Sequence, residues 1–547
     1  MPTRRLGERV ERPGFYLFFG GFRNEAAIGP AAARCFNVTT KYVHNGALAY
    51  RTATSRGINF TVAVVGKRFG DFNWRKLGRR FHPNPAIFSA PSWFFSGQMA
   101  DLIISVSGLR GIIGENLTPE VAVRYVAAFA AQLPPGPVVV GRDGRDSGPM
   151  MKSAIMAALA ASGRQCIDAD VCATPTIGVL VKARGAAGGV QISASHNPPA
   201  YNGIKLFGGD GRVLDATKGA AVRQAYLDGR SAFVSHDALG EITVDEDPHA
   251  DHLAAVLATI DRDRIAAAKH RVLLDSNHGA GGVLGERLLK ELGCDVVSLG
   301  ATPDGQFEHT PEPTETNLRD VAKAVKEYGC SVGFCQDPDA DRLALVDADG
   351  RYVGEEYTLA LCVQRAMNQP DLRGAIVING ATSGMSERIA AAADQPCFRS
   401  AVGEANVADM MIAKNATYGG EGNGGPIDPR VGYVRDSFVA MAQVLDLMTT
   451  TDQTLAELVD QIPRLHIHKS KAEVSADRLP ELFDALIELH GDAEASTGDG
   501  LRLAWRDKWL LVRGSNTEPI VRMIAEAESE TMAQQLCQSA ADLLQKP

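Results

Sequence analysis

From Met99 onward, short apolar runs alternate with polar loops and helical stretches. This alternation limits the possible folds more than any other feature of the 547-residue chain. Val138-Val139-Val140 ends at Gly141 and a polar loop, and residues 149–161 read as a helix. Strand-like runs follow at 189–192 and 204–207. A new block begins at Arg271-Val272-Leu273-Leu274-Asp275, with a Gly-rich turn, a helix through Leu292 and a strand at 331–335. A third block has a strand at 375–379, a helix from Ser383 and another from Glu404. Strand–loop–helix alternation predicts parallel sheets covered by helices. The last block differs. It reads as a helix at 479–489, two close strands at 501–505 and 509–513, a third at 520–525 and a closing helix to Leu544. Strands joined by short turns fit an antiparallel α+β domain. No short-period repeat is visible.

The first 98 residues have another texture. Their apolar pieces, at 15–19 and 60–65, are broken by Gly, Arg, Asn and Pro, with little helical or strand periodicity. They carry a net charge of +11, against −20 for the remaining 449 residues, and 17 of the 35 aromatic residues. Three readings fit such a segment: a reading frame whose start lies upstream of a true initiator at Met99, a basic extension for RNA or a membrane surface, or a targeting presequence. The first is the expectation, with the segment otherwise disordered.

Four segments in the remainder carry chemistry. Ser193-Ala194-Ser195-His196-Asn197-Pro198 follows one strand-like run and leads into another that contains Lys205. It is a stiff loop with hydroxyls and exposed N–H groups. A phosphorylated Ser195 would be a phosphoryl donor in need of a metal or cations close by. The same residues also suit an ordinary Ser/Asn turn. Asp337-Pro338-Asp339-Ala340-Asp341-Arg342 offers three carboxylates at alternating positions, a donor set for a hard divalent cation. An EF-hand is excluded, because Arg342 and Ala348 stand where that loop needs Gly and Glu. A solvated acidic turn remains an alternative. Gly419-Gly420-Glu421-Gly422-Asn423-Gly424-Gly425 would let a sugar approach the backbone, with Glu421 and Asn423 meeting its hydroxyls, although a flexible turn suits the same glycines. Arg513-Gly514-Ser515-Asn516-Thr517-Glu518-Pro519, with Arg522 beyond, makes a phosphate cradle or a charged hairpin turn. Arg110, after Gly108, could stabilise a transferring phosphoryl group, although a surface arginine reads the same way.

The overall charge of −9 disfavours general nucleic-acid binding. Nine scattered cysteines without a C-x-x-C pair predict reduced thiols in a cytoplasmic protein. No apolar run reaches the ~18 residues of a membrane span, and no secretory signal is visible at the start.

Together, and in this order, these segments resemble the α-D-phosphohexomutase family from about Met99 to the end. The resemblance implies three related α/β domains and a smaller α+β domain around a central cleft. The expected boundaries are 99–258, 259–351, 352–454 and 455–547, after a segment 1–98 without counterpart. It implies that Ser195 is the phosphoserine and that Asp337, Asp339 and Asp341 hold Mg²⁺, with a phosphoserine oxygen completing the shell. Arg342, Lys205, His196 and Arg110 become the cationic and hydrogen-bonding groups around the phosphoryl. Glu421 and Asn423 become the sugar loop, and Arg513, Ser515, Asn516, Thr517 and Arg522 the site of the phosphate not being transferred. Many bacterial members place a Ser and then a His in the sugar loop, where this chain has Asn423 and Gly425. A proton-transfer role for that His does not carry over. The loop's form is that of a subgroup often labelled phosphoglucosamine mutase. The implied reaction exchanges hexose 6-phosphate and hexose 1-phosphate, with a hexose 1,6-bisphosphate as intermediate and activator. Glucosamine phosphate is the first-choice substrate, with mannose and glucose phosphates as alternatives. A sugar-phosphate phosphohydrolase and a non-catalytic sensor are rival classes. The expected protein is a monomer or homodimer with no nucleic-acid or membrane partner.

Overall fold

The computed structural model describes residues 38–44, 47–54, 57–63, 102–105, 108–231, 233–474, 478–514 and 520–544. The chain divides into two units, Met1–Ser96 and Gly97–Pro547. In the first, the strands Val38–His44, Ala47–Thr54 and Gly57–Ala63 form an antiparallel meander. This corrects the expectation that the segment lacks strand character.

The second unit holds four sheets. Three share one core topology. In the first, Cys166–Val171, Val138–Arg142, Gly188–Ile192 and Tyr201–Gly208 lie side by side in that order. Asp295–Leu299, Arg271–Asp275, Val332–Gln336 and Leu343–Asp347 repeat the order in the second. Cys397–Ser400, Ile376–Asn379, Tyr418–Glu421 and Gly425–Ile427 repeat it in the third. The first sheet is widened to seven strands by Ile242–Val244 at one edge and by Gly108–Ile112 and Ile103–Ser105 at the other. The fourth sheet is wholly antiparallel, with five strands, one face of which is covered by the helices Leu479–Leu489 and Glu530–Leu544.

The three sheets are parallel in their first three strands and mixed as a whole. In each repeat the first three strands run parallel and the fourth returns antiparallel. The loops between third and fourth strands are too short for a helical crossover, so only a hairpin return is possible. Those loops are the Ser195 loop, the Asp337–Asp341 loop and the Glu421–Asn423 loop. All three chemical segments thus sit at the carboxyl ends of equivalent strands, where α/β sheets bind ligands.

The second and third sheets share a core. The helix Ser437–Thr451 runs through it, buried all round from Ser437 to Met448, against Leu284 and Leu288 on one side and Leu359 and Val363 on the other. The helix is interior, with its buried Gln443 and Asp446 bonded to Tyr418, Asp428 and Arg365, and each large apolar side chain it buries contributes ~1.5–3 kcal/mol. Its N-cap, Asp436, accepts from the N–H groups of Phe438 and Val439 at 2.9 and 3.1 Å. The other Asp436 oxygen takes His252 Nε2 at 2.7 Å, and His252 Nδ1 meets Thr176 Oγ1 of the first domain at 2.9 Å. No helix among the described residues is long and apolar enough to cross a membrane.

Candidate active site

The Ser195 and Asp337 loops meet. Ser195 is fully buried and in the left-handed region, φ +51°. Its hydroxyl donates to Asp337 Oδ2 at 2.6 Å, and His196 Nδ1 lies 3.4 Å from Ser195 Oγ. Asp337, Asp339 and Asp341 are fully buried, each with a carboxylate oxygen within 4.8 Å of the others. Three carboxylates out of water need opposing charge. Lys205 Nζ supplies it, 2.8 Å from Asp341 Oδ2 and in contact with Asp339. Arg435 Nη2 lies 2.6 Å from Asp341 Oδ2, and Arg342 Nε is 3.7 Å from Asp341 Oδ1. Thr174, at the start of the helix Thr174–Ala183, bonds Asp339 through its hydroxyl and its backbone N–H.

The charges divide unequally. Burial, and then the Asp341 and Asp339 carboxylates, push Asp337 well above the usual carboxylate range. Burial opposes ionisation of Asp341 too, but Arg435, Lys205 and Arg342 outweigh it and hold that group far below the ordinary value. Asp339 is also held low against its burial, chiefly by Lys205. Burial acts to lower Lys205, yet Asp339 and Asp341 raise it above the usual lysine value, so it stays a cation. Burial, with Arg342 and Arg110 nearby, depresses His196 to about 3. At neutral pH His196 is therefore a hydrogen-bonding group and not one of the cations. Arg110 Nη1 donates to Asn197 Oδ1 at 3.3 Å, which sets it beside the serine loop.

The three aspartates fit a divalent cation. The outer oxygens Asp339 Oδ1 and Asp341 Oδ1 are buried without a hydrogen-bond partner. Such groups cost ~1–3 kcal/mol or more unless a ligand takes them, and an all-oxygen carboxylate set suits a hard ion.

The Glu421 loop adjoins this centre. Glu421 Oε1 accepts from Asn379 Nδ2 at 2.7 Å and from the Gly403 N–H at 3.1 Å, and its Oε2 takes Arg435 Nη1 at 3.0 Å. Asn423 Oδ1 is buried without a partner. The expectation that the glycines leave room for a sugar needs correction. A Cβ on Gly424, at φ +82°, would lie 2.3 Å from the Leu343 carbonyl oxygen, and one on Gly425 would lie 2.4 Å from the Arg435 side chain. These glycines let the loop pack against the metal loop's strand and against Arg435.

Of the cradle, Ser515, Asn516 and Thr517 lie outside the described residues. Arg513 is held by Asp499, with Nε at 2.9 Å, and Asp499 in turn accepts from the Val402 N–H at 2.8 Å. Arg513 and Arg522 are directly opposed on neighbouring strands, and Lys471 is opposed to Arg522 on the next. Like charges so placed repel, and an anion relieves the repulsion.

Sequence reasoning missed Arg435, Thr174, Asn379 and Lys471. Arg435 is the only described side chain hydrogen-bonded to both Asp341 and Glu421. Nothing in the run Gly432-Tyr433-Val434-Arg435-Asp436 signals this, because the Asp341 contact is made across domains and the Glu421 contact depends on how the third domain folds. Lys471 becomes visible only with the strand register.

The description phosphoglucomutase/phosphomannomutase fits four consecutive stretches. Residues 102–232, 247–350 and 355–465 match its α/β/α domains I, II and III, and residues 470–543 match its C-terminal domain. A protein of Thermococcus kodakarensis named "Phosphoglucomutase/phosphomannomutase" is 36% identical over 447 residues, covering 80% of this chain and 97% of that one. One from Methanopyrus kandleri named "Probable phosphoglucosamine mutase" is 33% identical, with the same coverage. Among solved structures, a phosphoglucomutase/phosphomannomutase family protein of Burkholderia thailandensis superposes with a TM-score of 0.69 at 25% identity, over 81% of this chain and 98% of that one.

Proposed function

The chain belongs to the phosphoglucomutase/phosphomannomutase family and is a phosphohexomutase, and from that premise we propose that it interconverts glucosamine 6-phosphate and glucosamine 1-phosphate through a phosphorylated Ser195. The contact of the Ser195 hydroxyl with Asp337, inside a ring of Lys205, Arg342, Arg110 and Arg435, carries the reading.

Ser195 carries the phosphoryl group. Its P–O bond breaks as a bond forms to the free hydroxyl of the hexose monophosphate, and the proton lost by that hydroxyl balances the one regained at Ser195 Oγ. The resulting hexose 1,6-bisphosphate turns over in the site and returns its other phosphoryl to Ser195. Negative charge spreads over the phosphoryl oxygens in each transfer, and Lys205, Arg342 and Arg110 oppose it from fixed positions. Asp337, Asp339 and Asp341 would hold Mg²⁺, which when bound supplies further positive charge to the same oxygens. Glu421 and Asn423 orient the sugar hydroxyls. Arg513 and Arg522, with Lys471 alongside and the Ser515–Thr517 segment between the arginines, hold the phosphate that is not being transferred. Free hexose bisphosphate serves as activator by reloading Ser195. The proposed setting is cytoplasmic, as a monomer or homodimer acting on small sugar phosphates.

The Gly-Glu-Gly-Asn-Gly-Gly loop and the phosphoglucosamine mutase names among the relatives support the amino sugar. The name of the Thermococcus relative favours a second reading, mannose or glucose phosphate. A coupled assay with glucosamine, mannose and glucose 6-phosphates, primed with hexose 1,6-bisphosphate, separates them. The highest kcat/KM is expected with glucosamine 6-phosphate. S195A should turn over none of the three. Wild-type turnover by S195A would remove the phosphoserine reading, and release of inorganic phosphate in place of isomer would indicate a phosphohydrolase.

A further inference from the structure

Ser195 holds a backbone conformation that costs a non-glycine residue ~1–3 kcal/mol, and it persists only if its surroundings impose it. The imposing group is the loop after the strand Val138–Arg142, in the same domain. Arg145 is almost wholly buried there, and all five N–H donors of its guanidinium are engaged. Nη2 donates to the carbonyls of Ser195 and Asn197 at 2.7 and 2.6 Å, and Nη1 to those of Pro198 and Tyr201 at 2.8 and 3.0 Å. Nε donates to Asp143 Oδ2 at 3.1 Å. That oxygen also accepts from Ser193 Oγ at 2.6 Å, and Ser193 Oγ accepts from the Ser195 N–H at 2.8 Å. Both backbone polar groups of Ser195 are thus tied to Arg145, one directly and one through Asp143 and Ser193.

We infer that Arg145, working through Asp143 and Ser193, is a positioning residue that sets the Ser195 hydroxyl for phosphoryl transfer.

The second domain reinforces the brace. The Arg145 guanidinium lies over the Phe307 ring at 5.1 Å. Gly305 packs against the backbone of Gly144–Asp146, where a Cβ would sit 2.7 Å from the Gly144 oxygen. The adjoining turn supports the metal loop, with the Ala280 N–H donating to the Pro338 carbonyl at 2.7 Å. One scaffold therefore registers Ser195 against Asp337. Lysine cannot replace arginine here, because a compact ammonium has three donors and no planar fork to span four carbonyls.

The inference rests on Ser195 as the phosphoryl carrier. The test measures labelling of Ser195 by ³²P-glucose 1,6-bisphosphate in a single turnover, together with steady-state kcat and KM. If the wild-type serine takes no label, that underlying reading fails. If it does, R145K should fold with a lowered melting temperature, label roughly 100-fold more slowly and lose kcat in proportion, with KM within twofold, since a misplacement of ~1 Å can cost 10²-fold in rate. Should R145K not fold, S193A reads the same relay from its other end, with labelling about tenfold slower at unchanged KM. A folded R145K that labels within threefold of wild type overturns the inference, as does S193A at the wild-type rate. So does a KM that rises in step with the loss of kcat.

Discussion

At the scale of single residues, the centre is a problem of buried charge. Three carboxylates lie side by side, and Lys205 and Arg435 compensate two of them directly. Asp337, bonded by Ser195, is the one pushed upward. His196 adds a pH dependence. Its folded value of about 3 lies below the ordinary 6.5, so the unfolded chain takes a proton first as pH falls. The stability associated with His196 is complete above pH ~6.5 and is lost between there and about 3. We expect H196N in the dephosphorylated enzyme to melt with a shallower loss of Tm between pH 6.5 and 4 than wild type. Parallel Tm curves would show that His196 does not titrate in this way.

At the scale of elements, two helix starts carry predictions. Asp436 caps the buried helix Ser437–Thr451 and also satisfies His252. D436A removes both, and we expect a loss of about 2–4 kcal/mol in denaturant unfolding, more than an exposed cap alone provides. Glu356, in the first turn of the helix Glu355–Asn368, is pushed up to about 8 by burial, while Lys469 and the Ser383 N–H oppose the rise. Here the folded state keeps a proton that the unfolded state releases near 4.5, so stability falls as pH rises from there through about 8. E356Q cannot ionise. Its melting temperature should gain on wild type from pH 5 to pH 9, and a constant difference would exclude Glu356 as the source. The hairpin loops are elements of the same kind: Gly424→Ala, which places a Cβ against the Leu343 carbonyl at a positive φ, should displace Asn423 and raise KM for the sugar phosphate several-fold.

At the scale of the whole second unit, three copies of one sheet each contribute one hairpin loop, and in each the loop after the first strand braces the loop after the third. Arg145 bonds the serine loop, the Ala280 N–H the metal loop, and Asn379 and Thr382 the sugar loop. A centre assembled in this way is held by the fold and by its own cations. Chelation of divalent metal should therefore abolish turnover while leaving the far-ultraviolet circular dichroism unchanged. Added Mg²⁺ should raise Tm by mass action, with stabilisation of ~2.7 kcal/mol at 100 times its Kd. Unfolding on chelation would contradict this picture.

Most of the elements and the chemical loops are legible in the sequence. The helix at 479–489 and the strand at 271–275 agree to the residue, because apolar periodicity and turn residues are local properties. Ser195, the three aspartates and Glu421 are legible for the same reason: each lies in a short run whose residue types already suit the chemistry. Sequence by itself determined the α/β alternation, the order of the loops and which residues stand as the proposed nucleophile and metal donors. Only the tertiary structure decided that the sheets are mixed, that the loop glycines pack against protein, that burial depresses His196, that Arg435 bonds both Asp341 and Glu421, and that Arg145 bonds the serine loop. Those outcomes depend on desolvation and on hydrogen bonds between residues 50 to 142 positions apart, such as Arg145 with Ser195 and Ser195 with Asp337. Local pattern carries no information about such pairs until the chain has folded.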